Sequence, residues 1–431
     1  MKLQLFNPPV FHYAGIRYKM LPLLGLPTLA AWFNQRGHYA EVADLEALEI
    51  TPSVFRERLG AQRSRWPDVI GVTGLSITKR GMRETMQAIR QAGFTGPLIA
   101  GGVHMTLFPQ DGLDWGADLV VTGECEGNIA QLVESGATGI HRGVPAPIED
   151  IPAPDWRHFN PLITSYESNL RILLPMPGIA QFSRGCPARC TFCGNAVFGG
   201  QRTRYRPPQN IEADMMALKA MGVRNVYVYD DEMVGTRLPE GWMREIADRI
   251  APLGLKWLTQ GRCSKNHITL DTMRDLRRAG CHTVFWGVES FSNKVLKLMR
   301  KGITHDDIWH TLRVSRHAGL NNAVFTMIGN YGETDDDLAE TCAGLKAAYD
   351  EGLIQMRQTT ICTPMAGTEL AQRAEAEGWY SPAPDFGPQM LQHSPTPWLT
   401  VDRMMYWQGR FAEVCPVGLH EVPASQPGVA V

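Results

Sequence analysis

Short apolar runs alternate with amphipathic, helix-like stretches in two successive series along this chain of 431 residues. Strands separated by helices cannot pair as tight hairpins, so each series is expected to form a parallel sheet with helices across its faces. In the first series Lys2 to Phe6, Tyr39 to Asp44, Val69 to Leu75, Pro97 to Ala100 and Leu119 to Thr122 have the character of strands. Leu21 to Arg36, ending near Gly37, and Gly81 to Ala92 have the spacing of helices. A Rossmann-like domain is expected over residues 1–145.

Pro145, Pro147, Pro152 and Pro154 then interrupt a polar stretch that can neither continue a helix nor pair centrally in a sheet. Residues 146–177 are therefore expected to be a linker. In the second series the strand-like runs are Ile179 to Ser183, Val223 to Tyr229, Leu255 to Gln260, Thr283 to Gly287, Asn322 to Ile328 and Met356 to Cys362. Helical patterns separate them, among them Ile211 to Met221, Gly241 to Ala251, Leu270 to Ala279 and Asp335 to Glu351. This α/β rhythm predicts a partial (β/α)6 barrel over residues 178–384, with its chemistry at the carboxyl ends of the strands. Residues 385–431 form a less regular C-terminal extension, with Pro388, Pro395 and Pro397 ahead of a short helix, Val401 to Val414.

A net charge of -2 gives no single-sign field for nucleic acid. No stretch reaches the ~18 apolar residues of a membrane helix. Met1 to Phe11 lack the uninterrupted apolar run of a secretory signal, so a reducing cytoplasm is expected, and the nine cysteines are not read as a disulfide framework.

Three of those cysteines cluster. The first strand of the second series runs into Ser183-Arg184-Gly185-Cys186-Pro187-Ala188-Arg189-Cys190-Thr191-Phe192-Cys193-Gly194, a CxxxCxxC arrangement. Three thiolates on one tight loop can each ligate one iron of a cubane cluster, because soft sulfur suits iron–sulfur chemistry. The fourth iron then has no protein ligand and stays open to a small chelating molecule. The alternative is a structural zinc knuckle, which takes a fourth Cys or His; none follows closely, so His282 or Cys263 would have to fold back. Cys125, Cys263, Cys281, Cys342, Cys362 and Cys415 are scattered, as buried small hydrophobes would be.

With the aromatic Phe192 just before the third cysteine, this loop resembles the signature of the radical S-adenosylmethionine superfamily, and the similarity extends over residues 178–370. Tyr227-Val228-Tyr229-Asp230-Asp231-Glu232, Gly287-Val288-Glu289-Ser290, Gly329-Asn330-Tyr331-Gly332-Glu333-Thr334 and Pro364-Met365-Ala366-Gly367-Thr368 resemble the branch that contains B12-binding members. The resemblance implies that Cys186, Cys190 and Cys193 hold a [4Fe-4S] cluster. Its open iron would bind S-adenosylmethionine and pass an electron to the sulfonium, yielding methionine and a 5′-deoxyadenosyl radical. It also implies that Phe192 packs near the adenine, that Asp230, Asp231 and Glu232 accept hydrogen bonds from the cofactor's amino group, and that Glu289 and Ser290 face its ribose or methionine end. For the three acids, a solvated loop or a helix cap is the alternative. Arg262 either meets a carboxylate or forms a surface ion pair. Similar proteins often carry Pro where this chain has Asn330 or Tyr331.

The first domain resembles the cobalamin-binding domains fused ahead of such barrels. The matching pieces are Asn7-Pro8-Pro9, Gly25-Leu26-Pro27, Asp44, Gly74-Leu75-Ser76, Gly101-Gly102-Val103-His104 and Val121-Thr122-Gly123-Glu124-Cys125-Glu126. Ser76, Gly101 and Gly102 would let a corrinoid tail approach the backbone at strand ends, and the same features would equally serve the tight turns of a plain Rossmann sheet. No histidine ligation of cobalt is expected. The Asp-x-His-x-x-Gly motif of other cobalamin proteins is reduced here to His12-Tyr13-Ala14-Gly15, with Val10 in place of the acid. His12 and His104 are expected in loops with ordinary hydrogen bonds.

With cobalamin, the resemblance implies C-methylation of a small metabolite in biosynthesis, the radical removing a substrate hydrogen and methylcobalamin supplying the methyl group. Without cobalamin, the same barrel would dehydrate, deoxygenate or epimerise a polar substrate such as an aminoglycoside sugar. A noncatalytic iron–sulfur or corrinoid-binding protein is the reading from another class. No residue is marked as a proton acid or base. The implied partners are a small-molecule substrate and an electron donor such as flavodoxin or ferredoxin, with no nucleic acid and no membrane.

Overall fold

The first sheet is built outward from β1 (Lys2–Asn7), whose Leu3, Leu5 and Phe6 are buried. β2 (Tyr39–Asp44) pairs with it on one side and β3 (Val69–Thr73) on the other, both parallel. β4 (Leu98–Gly101), β5 (Leu119–Thr122) and β6 (Gly139–Arg142) continue beyond β3, giving the order β2-β1-β3-β4-β5-β6. Strand order reverses between β1 and β3, and at such a switch point the carboxyl ends of the strands border a ligand crevice. The helix Lys79–Gln91 buries Met82, Met86 and Ile89 in one core with Ile70, Val72 and Leu98.

The computed structural model describes residues 1–9, 23–158, 177–198, 202–381 and 394–416. These fall into two units, one ending at residue 158 and one beginning at residue 177. The stretch around His12 and much of the C-terminal extension lie outside the described residues.

Two features of the first unit depart from expectation. β6 is a sixth strand whose Gly-Ile-His-Arg sequence has no apolar run; as an edge strand with partly exposed residues it needs none. Residues 146–158, expected as linker, pack against this unit instead. Ala146, Ile151 and Trp156 are buried, Asp155 N donates to Pro27 O at 2.9 Å, and Asn34 Nδ2 donates to Asp155 Oδ2 at 3.2 Å. Proline forbids regular structure, but an extended segment can still be held by apolar anchors.

The second unit opens with β7 (Pro177–Ala180), after which β8 (Ser183–Arg184) and β9 (Arg204–Tyr205) make a short antiparallel ribbon. β10 (Asn225–Val228), β11 (Lys256–Gly261), β12 (Cys281–Glu289), β13 (Asn321–Ile328) and β14 (Met356–Ile361) then join β7 in a parallel sheet ordered β14-β13-β12-β11-β10-β7. All six expected strands are present. β7 and β14 are edges that do not meet, so the arc is an open, partial barrel. Trp257 and Trp286 are fully buried in it, and the Trp286 indole donates to Asn322 Oδ1 at 2.9 Å, which satisfies its one polar atom. Covering helices begin at capping boxes formed by Thr304 with Asp307 and Thr334 with Asp337. The helix Val401–Val414 lies on the helix Asp335–Asp350, where Trp407 Nε1 donates to Asp335 Oδ1 at 2.6 Å. Among the described residues no helix is long and apolar enough to cross a membrane.

Candidate functional site

All strands of the second sheet run the same way, so the segments after β7, β10, β11, β12 and β13 emerge at one edge. The cysteine loop begins there at Gly185, whose φ of +88° is in the left-handed region that favours glycine. Cys190 is buried, and Cys186 and Cys193 are half-buried. Cys193 N donates to Cys190 O at 3.1 Å, Thr191 N to Met299 O at 3.0 Å, and Leu370 N to Thr191 O at 2.9 Å, so the loop is tied on both sides.

The acids after β10 grip this loop from below. Phe182 N donates to Asp230 Oδ1 at 2.8 Å and Ser183 Oγ to Oδ2 at 2.6 Å. Gly185 N donates to Asp231 Oδ2 and Asn195 Nδ2 to Oδ1, both at 2.9 Å. Asp230 and Asp231 therefore have a partner on each oxygen and act on the loop itself. Glu232 differs. Its Oε2 accepts from Cys186 Sγ at 2.9 Å, while Oε1 is buried and makes no hydrogen bond. Burial pushes the Glu232 carboxyl up, against the pull of Cys186, Arg262, Lys301 and His267. Burial also raises the Cys186 thiol, and the neighbouring Glu232 charge raises it further.

Glu289 ends β12 with φ +63°, a strained value for a side chain of its size, and its Oε1 accepts from Lys301 Nζ at 2.8 Å. Lys301 is also 5.9 Å from the centroid of the half-buried Phe192 ring. Ser290 lies behind this edge. Fully buried, it shares a hydrogen bond with Thr341 Oγ1 at 2.9 Å and accepts from Ser292 N at 3.1 Å, so its hydroxyl is used in packing. Arg262 is half-buried after β11 and lines a cleft of about 340 Å³ with Lys265, His267 and Asp307. The loop after β13, where similar proteins have Pro, is shaped by Glu333, whose Oε2 accepts from Gly329 N at 2.7 Å and Asn330 N at 3.0 Å.

At the carboxyl edge of the first sheet, Ser76 follows β3, Gly101 ends β4 and Gly102 comes directly after it. A Cβ on Gly101 would meet only Val121 O at 3.7 Å, which leaves room for a ligand's approach. A Cβ on Gly102 would lie 2.4 Å from Thr73 Oγ1, so this glycine, at φ +92°, serves the close approach of the two strand ends. His104 is on the short helix Val103–Leu107, fully buried rather than in a loop, and it bonds Ser76 and Asp111.

Lys301 carries no mark in the sequence, and neither does the grouping of Ser76 and His104 with Asp111. Met299-Arg300-Lys301-Gly302 looks like a basic turn, and only the Gly-Gly before Val103-His104 hinted at the second. Among the described residues no three His, Cys, Asp or Glu side chains are drawn together as a metal-holding group. The donor set itself, three soft sulfurs on one clamped loop, suits an iron–sulfur cluster. His282 opens β12 at the opposite end of the sheet, which removes it as a fourth ligand for zinc.

Residues 180–343 match the radical SAM superfamily and residues 17–133 the B12 binding domain. The chain joins a B12-binding domain to a radical SAM domain. Those two domains bring a [4Fe-4S] cluster, S-adenosylmethionine and cobalamin as cofactors. An uncharacterized methyltransferase of Pyrococcus horikoshii is 25% identical over 82% of this radical SAM protein and 79% of its own length. The cytidylyl-2-hydroxyethylphosphonate methyltransferase of Streptomyces wedmorensis is 25% identical over 58% of this chain, which spans 47% of that enzyme. Among solved structures, the radical S-adenosylmethionine methyltransferase TsrM from Kitasatospora setae, with cobalamin and a [4Fe-4S] cluster bound, shares the fold with a TM-score of 0.66. It is 19% identical, over 89% of this chain and 79% of that one.

Proposed function

We propose that this radical SAM protein is a cobalamin-dependent methyltransferase that methylates carbon in a small metabolite, with a reduced flavodoxin or ferredoxin as electron donor. The observation that carries the proposal is the cysteine loop clamped by Asp230 and Asp231 beside the unpartnered Glu232 oxygen, in a chain that also has a B12-binding domain. When bound, the cluster and S-adenosylmethionine supply one-electron cleavage and hydrogen abstraction, and cobalamin supplies a methyl carrier. Cys186, Cys190 and Cys193 hold the iron. Asp230 and Asp231 keep the loop in shape, Glu232 offers a buried acceptor to the cofactor's ammonium, and Phe192 gives the adenine an apolar face. In the first unit Ser76 and Gly101 border the corrinoid. Methyl transfer is preferred over radical dehydration or epimerisation because the relatives named above are methyltransferases.

Anaerobic reconstitution with iron, sulfide and hydroxocobalamin, followed by optical spectra, corrinoid quantitation and an assay for 5′-deoxyadenosine after dithionite reduction, tests this. Cluster, stoichiometric corrinoid and cleavage together are expected. Cluster and cleavage without corrinoid would replace methyl transfer by dehydration or rearrangement, and cleavage by a chain with Cys186, Cys190 and Cys193 all changed to Ala would overturn the cluster assignment.

A further inference from the structure

In the first unit a buried histidine joins the turn after β3 to the helices after β4. His104 Nδ1 lies 3.2 Å from Ser76 Oγ, and Nε2 lies 3.1 Å from Asp111 Oδ2. The ring is stacked on Trp115, with centroids 5.4 Å apart and planes 6° from parallel, and Phe108 packs on it at 5.2 Å. Both rings pack on the imidazole, which opposes its turning to exchange partners. His104 N also donates to Gly74 O at 3.1 Å, so backbone and side chain both fix the ring against the β3 turn.

The direction of each hydrogen bond follows from these contacts. Burial holds the imidazole toward its neutral form, against the opposing pull of Asp111, so the ring carries one N–H. Asp111, within 3.9 Å of Lys79 Nζ, is a carboxylate that only accepts, and it takes that N–H at Nε2. Nδ1 is then an acceptor, and the Ser76 hydroxyl is the donor that fills it. The one proton of Ser76 is thus turned inward, while the half-buried side chain keeps its oxygen lone pairs for a neighbour.

We propose that His104 and Asp111 are positioning residues that lock Ser76 as a hydrogen-bond acceptor for an amide N–H of the corrinoid. This rests on the cobalamin reading above and adds a polarity to it. Corrinoids carry carboxamide donors around the ring and in the tail, and Ser76 held this way accepts from them but cannot donate to a free ring nitrogen of the nucleotide base.

The test is equilibrium binding of hydroxocobalamin and of cobinamide, which lacks the base, to the full chain. Ser76→Ala and His104→Phe are each expected to weaken both ligands about fivefold to tenfold, and the double variant no further, because the residues act as one unit. Asp111→Asn, which changes no volume, can reverse the ring tautomer and is expected to weaken binding with all three side chains still present. Nitrogen-15 spectra of histidine-labelled protein should show His104 protonated at Nε2 in the wild type and at Nδ1 in Asp111→Asn, a change that a purely structural role would not require. Independent, multiplying losses in the double variant, or wild-type affinity in His104→Phe, would overturn the inference. So would a Ser76→Ala loss confined to hydroxocobalamin, which would put the base rather than an amide at Ser76. If the wild type binds neither corrinoid, the cobalamin reading fails and this inference with it.

Discussion

The backbone N–H of Phe182 donates to Asp230 Oδ1 at 2.8 Å, and both residues are almost wholly buried. With Ser183 Oγ on the other oxygen at 2.6 Å, one carboxyl group ties the end of β7 to the end of β10 just where the cysteine loop begins. Asp230→Ala strands two buried donors, each costing roughly 1–3 kcal/mol, so a loss of about 2–6 kcal/mol in denaturant unfolding is expected, with a lower iron content after reconstitution. Asp230→Asn keeps an acceptor for Phe182 N–H and should lose less in both measurements. Wild-type stability and iron content in Asp230→Ala would show that the clamp is dispensable.

Glu232 calls for a different outcome. Its Oε1 is buried without a hydrogen bond, whereas the oxygens of Asp230 and Asp231 are already engaged. Glu232→Gln should therefore leave the iron content near that of the wild type and weaken S-adenosylmethionine binding about tenfold, equivalent to about 1.4 kcal/mol. Equilibrium dialysis with reconstituted protein reads the affinity. An unchanged Kd would remove Glu232 from the cofactor's contacts.

These roles separate what is local from what is not. The cysteine spacing lies within eight residues, and strand and helix periodicity is local too, so the cluster loop and all six strands of the second sheet were legible in the sequence. Asp230, Asp231 and Glu232 are adjacent and chemically alike. Which of them holds the loop and which keeps a spare oxygen depends on partners 36 to 48 residues away, and spacing carries no information about those. The burial of the Ser290 hydroxyl against Thr341 was hidden for the same reason, since that partner lies 51 residues on. Residues 146–158 looked like linker because proline reports only the absence of regular structure; Ile151 and Trp156 were the overlooked signal that the segment is anchored.

Lys301 and Glu289 pair at 2.8 Å with each side chain about nine-tenths buried. Burial pulls the Lys301 ammonium down, but the charge and hydrogen bond of Glu289 together with the nearby Cys190 outweigh it, and the net direction is upward. Removing one member of such a pair leaves the other charge buried alone, at a cost of roughly 3–5 kcal/mol. Lys301→Met and Glu289→Gln are each expected to be destabilising on that scale. The double variant should recover most of the loss, because no buried charge remains. A double variant as unstable as the two single losses combined would mean that each residue is held by other partners.

Glu333 provides the pH test. It is fully buried, and burial pushes its carboxyl from an ordinary 4.5 up to about 7, although Asn330 and Gly329 hydrogen-bond the ionised form. Below pH 4.5 the group is protonated whether the chain is folded or unfolded. Between pH 4.5 and 7 the unfolded chain releases the proton while the folded one keeps it, so the stability contributed by Glu333 is lost as pH rises through that window. The gap of about 2.5 units corresponds to roughly 3 kcal/mol. Glu333→Gln cannot ionise. Urea unfolding at a series of pH values should therefore show the variant gaining on the wild type by roughly that amount between pH 4.5 and 7.5. A difference that stays flat across the series would mean that folding does not shift the Glu333 carboxyl, and that the loop after β13 opens to water more readily than its buried hydrogen bonds imply.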